Sequence, residues 1–150
     1  MATTTADRLV VDASVAVKWY VPDEQDTNRA LTLLQRFQDG QLELIAPSHI
    51  RYEVLNAITM ASQGSQARLT TAQAHIAATD FLDLELPTHD DRELLAAALP
   101  LTSKLHIAYY DAIYLALAQR ERLLFITADN KLHQRIRNLP GVVWLSDWST

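Results

Sequence analysis

The run "LLFIT", Leu123–Thr127, is short, unbroken and apolar, and it stops two residues before an acid, Asp129. A second such run, Leu9–Val11, stops directly at Asp12. Brief, uniformly apolar segments are strands buried on both faces, which is the signature of a parallel sheet rather than of an antiparallel one with a wetted face. Parallel strands need long crossovers, so the segments between such runs should be helices.

The rest of the chain follows that rhythm. Leu9–Asp12 reads as a first strand, and Ala13–Tyr20 as a short helix closed by Pro22. Asp23 and Glu24 offer caps for a second helix, in which Ala30, Leu31, Leu34 and Phe37 recur at helical spacing up to Gly40. A second strand runs from Leu42 to Ala46. Ser48 is placed to cap a helix carrying Ile50, Val54, Leu55, Ile58 and Met60 and ending near Gly64. Thr70 or Thr71 opens another, through His75 to Leu82. "LELPTH" reads as a third strand, Asp90–Leu99 as a short helix before Pro100, and Ile107–Ala118 as a strongly apolar helix. Asn130–Arg137 is a helix, and "GVVWL" a last short strand. Strands alternating with helices predict a parallel sheet covered by helices on both faces.

With 150 residues, the chain is expected to form one domain over positions 1–150, the first seven residues being a flexible N-terminus. The absence of cysteine removes disulfides and thiolate metal sites, which fits a reducing compartment. "MATTTADR" lacks the basic and apolar regions of a signal peptide, and no stretch approaches the ~18 apolar residues of a membrane span, so a soluble, cytoplasmic protein is expected. The net charge of −5 argues mildly against a passive nucleic-acid binder. Setting aside four acids held by metal ions brings the balance close to neutral, so charge does not decide the partner.

Four carboxylates stand out by context. Asp12 ends the first strand; Glu53 sits mid-helix in "IRYEVLNAI"; Asp111 is the one charged residue between Ile107 and Ala118; Asp129 follows "LLFIT". Residues just past the carboxyl ends of parallel strands face the crevice where ligands bind, and Asp12 and Asp129 belong to that rim. Each acid also has a plainer reading: Asp12 and Asp111 as helix caps, Glu53 as the partner of Arg51 or a distant arginine, Asp129 as a turn residue. If the four converge, their repulsion must be offset, because two charges ~4 Å apart repel by roughly 1 kcal/mol in water and about 4 kcal/mol at an effective dielectric of about 20. Divalent cations would reverse the sign. An all-oxygen donor set favours Mg²⁺ or Mn²⁺ over zinc, and such ions deprotonate and align water for attack on phosphorus.

Taken in order, "VVDASVAVKWYVPDE", "RYEVLNAI", "YYDAIYLALAQ" and "FITADNKL" resemble the motifs of PIN-domain nucleases, and more narrowly those of the VapC toxins of bacterial toxin–antitoxin pairs. The likeness runs from about Leu9 to Trp144; its first and third motifs are the more specific. It implies a three-layer α/β/α fold with a central, mostly parallel sheet, and Mg²⁺- or Mn²⁺-dependent endoribonuclease activity. It assigns the acids to Asp12, Glu53, Asp111 and Asp129, with Asp12 and Asp111 as principal metal ligands and Thr127 and Asn56 in supporting places. It also implies an RNA substrate, a homodimer and a VapB-like antitoxin that blocks the acidic pocket.

His49, His75, His89, His106 and His133 are scattered and show no zinc spacing. Lys18 and Trp19 could meet a phosphate and stack on a base, but a snorkelling lysine beside a core tryptophan is the plainer reading; Lys131, Arg135 and Arg137 could guide RNA or form a solvated helix face. No Gly-rich phosphate loop or G-x-S-x-G elbow is present, which excludes P-loop NTPases and α/β-hydrolases. A phosphoacceptor signalling domain would want an acidic pair early in the chain, but Val11 precedes Asp12. A PIN-like module that binds RNA without turnover is the remaining competitor.

Overall fold

The computed structural model describes residues 7–22 and 25–149. Among these residues five strands form one sheet: β1 (Asp7–Val11), β2 (Leu42–Pro47), β3 (Thr88–His89), β4 (Leu124–Thr127) and β5 (Val142–Trp144). Their order is β3-β2-β1-β4-β5, and every neighbouring pair is parallel. Leu9, Val10 and Val11 of the central strand are buried, as an unbroken apolar run demands.

Among the described residues, seven α-helices complete the fold: α1 (Ala13–Ala16), α2 (Thr27–Gln38), α3 (Ile50–Ala61), α4 (Thr71–Asp83), α5 (Arg92–Leu105), α6 (Tyr109–Glu121) and α7 (Asn130–Ile136). The chain steps from β1 to β2 to β3 in one direction, then crosses back over β1 to β4 and β5. Right-handed crossovers therefore put α1–α4 on one face and α5–α7 on the other, giving the three layers. The direction reverses between β1 and β4. In an open parallel sheet that switch point is where a crevice opens beyond the strand ends.

Helix α6 lies against β1, β2 and β4 on one side and α5 on another. Ala112–Ala118 are all buried in consequence, which is why its sequence is apolar all round. Among the described residues no helix is long and apolar enough to cross a membrane.

Several local expectations are corrected. Helix α1 ends at Ala16 and a 3-10 turn, Val17–Trp19, continues it. The proposed caps Asp23 and Glu24 lie outside the described residues, Asp26 occupies the cap position of α2, and Leu31 points outward while Ala30 and Leu33 are buried. His49, not Ser48, precedes α3, and Ser48 instead donates its amide to His89 in the β2–β3 edge. "LELPTH" contributes only two residues to the sheet. Leu84 and Glu85 close helix α4, Glu85 with a φ of 52°, and Pro87 has no amide to give, so pairing starts at Thr88. Helix α5 begins after Asp91, whose side chain caps it, and runs through Pro100 to Leu105. Pro100 and Ala96, whose carbonyl loses its helical partner, are both exposed, so water can serve that carbonyl. Asp7, expected in a flexible segment, is the first residue of β1.

Candidate active site

The carboxyl ends of β1 and β4 meet at the switch point, and Asp12 stands there, only 4% exposed. Its amide continues the ladder by donating to the Ile126 carbonyl, which fixes the backbone beneath the side chain. The carboxylate makes no cap bond to α1. Instead its Oδ2 accepts from Ser14 Oγ at 2.6 Å and from Thr127 Oγ1 at 2.7 Å. Those hydroxyls in turn accept main-chain amides, Ser14 Oγ from Ala128 at 2.9 Å and Thr127 Oγ1 from Asp129 at 3.1 Å. Each hydroxyl has one hydrogen, and Asp12 takes both, so the 3.4 Å approach of Ser14 to Thr127 is packing rather than a further bond. The pattern clamps the loop after β4 onto the end of β1.

Burial raises the Asp12 pKa above the ordinary carboxylate value; the two hydroxyls act against that rise, and Asp129 adds to it. Asp129 serves two purposes. Its Oδ1 caps α7 by accepting the Leu132 amide, and its charge is felt at Asp12, Glu53 and Asp111. The plainer expectation for this residue is a turn; it is instead the N-cap of α7 and one of the acids.

Asp111 lies in the first turn of α6, and its carboxyl is pushed up to about 6 by burial and by Asp12 and Asp129. Glu53 lies in the first turn of α3, and burial, opposed by a hydrogen bond from Tyr114 and reinforced by the other three acids, raises it to about 7. Strand order explains the encounter: α3 starts where β2 ends, so its first turn opens onto the same rim as Asp12. The sheet thus brings the four acids within electrostatic range of one another. Asn56 is exposed one turn further along α3.

Three neighbours of these acids carried no signal that single-sequence reasoning had used. Tyr114, fully buried on α6, donates its hydroxyl to Glu53 Oε1 at 2.8 Å. His49 Nε2 lies 3.3 Å from Glu53 Oε1 and 3.1 Å from the Tyr110 carbonyl, and burial lowers its pKa. Ser14 completes the Asp12 clamp. An "Asp-x-Ser" spacing was the available cue for Ser14, whereas His49 and Tyr114 meet Glu53 only through tertiary folding. Trp19 is a core residue, its indole N–H bonded to the Ala30 carbonyl, and Lys18 beside it is buried. Lys131 and Arg135 are exposed on α7, and Arg137, exposed as well, caps its C-terminus.

All the acids are hard oxygen donors, and every mutual influence on their pKa values is repulsive, which is the electrostatic demand a divalent cation answers. Among the described residues, no three or more Asp, Glu or His side chains are arranged to hold an ion unaided. Mg²⁺ commonly takes one or two carboxylates and keeps several waters, so this donor set fits it without a closed cage.

Comparison with known proteins follows the same lines. The PIN domain family matches residues 9–138. Ribonuclease VapC3 of Pyrobaculum aerophilum is 29% identical over 128 residues, which is 85% of this chain and 94% of that protein. The fold is shared with three solved structures. PAE2754 of Pyrobaculum aerophilum superposes with a TM-score of 0.66 at 20% identity, covering 94% of this chain and 92% of that one. A toxin–antitoxin complex from Klebsiella pneumoniae gives 0.57 at 16% identity, over 90% and 95% of the two chains. VapC20 of Mycobacterium tuberculosis, a toxin that cleaves the sarcin-ricin loop, gives 0.60 at 14% identity, over 84% and 93%. The strand order, the rim of acids and the family match over most of the chain lead to one conclusion: this protein belongs to the PIN domain family.

Proposed function

We propose that this protein is a divalent-metal-dependent endoribonuclease that hydrolyses RNA phosphodiester bonds, and that it acts as the toxin of a VapBC-type pair. The observation that carries the reading is Asp12: a buried carboxylate at the switch point, held by two hydroxyls and surrounded by the charges of Glu53, Asp111 and Asp129. Asp12 and Asp111 would be the principal ligands of Mg²⁺ or Mn²⁺, with Glu53 and Asp129 completing the site directly or through water. When bound, the ion supplies an activated water and neutralises charge developing on the phosphate.

The chain's own residues supply position. Ser14 and Thr127 hold the Asp12 carboxylate in one orientation, and the loop clamp sets Asp129 relative to it. Tyr114 orients Glu53, whose elevated pKa keeps part of its population protonated near neutrality. A bound cation would displace that proton and leave the glutamate as an anionic ligand or water acceptor.

Ribonuclease VapC3 and the Klebsiella complex support the toxin reading with an antitoxin partner; a VapB-like antitoxin covering the acidic rim, and a homodimer, are proposed with it. The test is cleavage of RNA by purified protein with Mg²⁺, with Mn²⁺ and with chelator. Cleavage that needs the ion and is lost in Asp12→Asn is expected. Binding of RNA with no cleavage under either ion would instead support a catalytically silent PIN module. A gene for a small DNA-binding protein adjoining this one, whose product suppresses cleavage on co-purification, would support the toxin role.

A further inference from the structure

Helix α6 is buried from Ala112 to Ala118, yet Tyr110, directly before Asp111 in its first turn, is 63% exposed. Its ring is not loose on the surface. The ring centroid lies 5.3 Å from that of His49, with the planes tilted by 49°. His49 is itself held on several sides. Its Nε2 is 3.1 Å from the Tyr110 carbonyl and 3.3 Å from Glu53 Oε1, and its ring meets Tyr114 edge-on at 5.0 Å. The Tyr110 ring thus leans at a tilt against a fixed imidazole while much of its surface is open to solvent. Tyr52, 77% exposed, projects from α3 in the position before Glu53.

Large aromatic side chains left in water forgo the hydrophobic gain of burial, and a pre-positioned ring is a stacking surface for a nucleobase. We propose that Tyr110, backed by His49, is a stacking platform for an unpaired base of the RNA substrate next to the scissile phosphate. The inference rests on the ribonuclease reading above and deepens it by requiring the substrate to be single-stranded at the cleavage site. Proximity carries the argument: His49 meets the Tyr110 ring on one side and Glu53 on the other, so a base stacked on Tyr110 lies one imidazole away from the rim of acids. Stacking of this kind is tolerant of base identity, so the platform positions the strand more than it reads it.

The substitution Tyr110→Ala removes the ring but keeps the main-chain carbonyl that meets His49, so the fold and the His49 contacts should survive. Base–aromatic stacking is worth about 1–3 kcal/mol, so affinity for a short single-stranded RNA should fall by roughly 5- to 150-fold in Tyr110→Ala. In cleavage assays the loss should appear mainly in KM, and Tyr110→Phe and Tyr110→Trp should restore it, since they keep a flat ring without the hydroxyl or with a larger surface. Binding is measured by fluorescence anisotropy in an Asp12→Asn background, where cleavage cannot intervene. RNA binding there that is unchanged by Tyr110→Ala would overturn the platform while leaving the ribonuclease proposal intact. Absence of both RNA binding and metal-dependent cleavage in the unsubstituted protein would overturn the ribonuclease reading itself. Tyr110→Ala that loses RNA only together with its oligomeric state, or that loses a co-purified antitoxin while binding RNA normally, would show the ring to be a protein contact and would also reject the platform.

Discussion

Thr127 and Asp12 are 115 positions apart in the chain, and Thr127 Oγ1 donates to Asp12 Oδ2 at 2.7 Å. The same oxygen accepts the Asp129 amide, so one small buried side chain joins the ends of β1 and β4 to the loop that carries a further acid. Removing it has two consequences. In Thr127→Val the shape is kept but Asp12 loses a donor and the Asp129 amide loses its acceptor, which should cost about 1–3 kcal/mol of stability. The lost bond had opposed the rise of the Asp12 pKa, so the acid limb of the pH–rate profile should move to higher pH. Thr127→Ser should behave close to the unsubstituted protein. Equal melting temperatures and pH profiles for all three proteins would contradict the clamp.

Asp12→Asn separates catalysis from folding. Asparagine can still accept from Ser14 and Thr127 while the buried charge disappears. RNA cleavage should drop by at least about a hundredfold, the scale on which a preorganised electrostatic group acts. Thermal stability in metal-free buffer should stay level or rise, because an uncompensated buried charge is costly. A variant that melts much earlier than the parent would make the activity loss uninformative and the charge argument wrong.

The pH dependence of stability has a defined sign. Burial, with neighbouring acids, pushes Glu53 to about 7 and Asp111 to about 6, above ordinary values of 4.5 and 3.8. Each therefore holds its proton more tightly in the folded state. The stability this contributes is fully present below the unfolded value and is lost as pH rises through the folded one. In metal-free buffer this contribution to Tm should decline between about pH 4 and about pH 7, and it should be flattened in a Glu53→Gln, Asp111→Asn double variant. Mg²⁺ or Mn²⁺ should raise Tm more at about pH 8 than at about pH 5, because the ion competes with protons for these oxygens. Scanning calorimetry across pH with and without the ion checks both; a metal-induced shift that does not grow with pH would argue against binding at these acids.

Tyr114→Phe tests the bond that orients Glu53. The phenol holds the Glu53 pKa below where burial alone would put it, so its loss should raise that value further. Stability should fall by about 1 kcal/mol, and the pH at which Mg²⁺ binding reaches half its maximum should shift upward. Titrating metal affinity against pH in the two proteins measures this; coincident curves would mean that Glu53 does not take part in holding the ion.

The alternation of buried strands and helices was legible without tertiary information. Leu9–Val11 and Phe125–Ile126 are apolar because both of their faces are covered, and Thr70 with Gln73 forms a reciprocal capping box entirely within four residues. Where a local pattern was overruled, a neighbour decided it. The Pro100 signal ended a helix on paper, but an exposed carbonyl let α5 continue against α6. The "LELPTH" strand lost its first residues to the closure of α4 and to the missing amide of Pro87.

The acids divide in the same way. Asp12, Glu53, Asp111 and Asp129 were conspicuous in sequence because a carboxylate among apolar residues is a local anomaly with a local cost. Their common rim, the Ser14 and Thr127 clamp, and the contacts of His49 and Tyr114 with Glu53 were decided by the β3-β2-β1-β4-β5 order. The chain by itself specifies which residues avoid water, because that preference is written at the period of each helix and strand. Which side chains then meet depends on where each crossover returns to the sheet, a choice made by packing between segments as much as 115 positions apart.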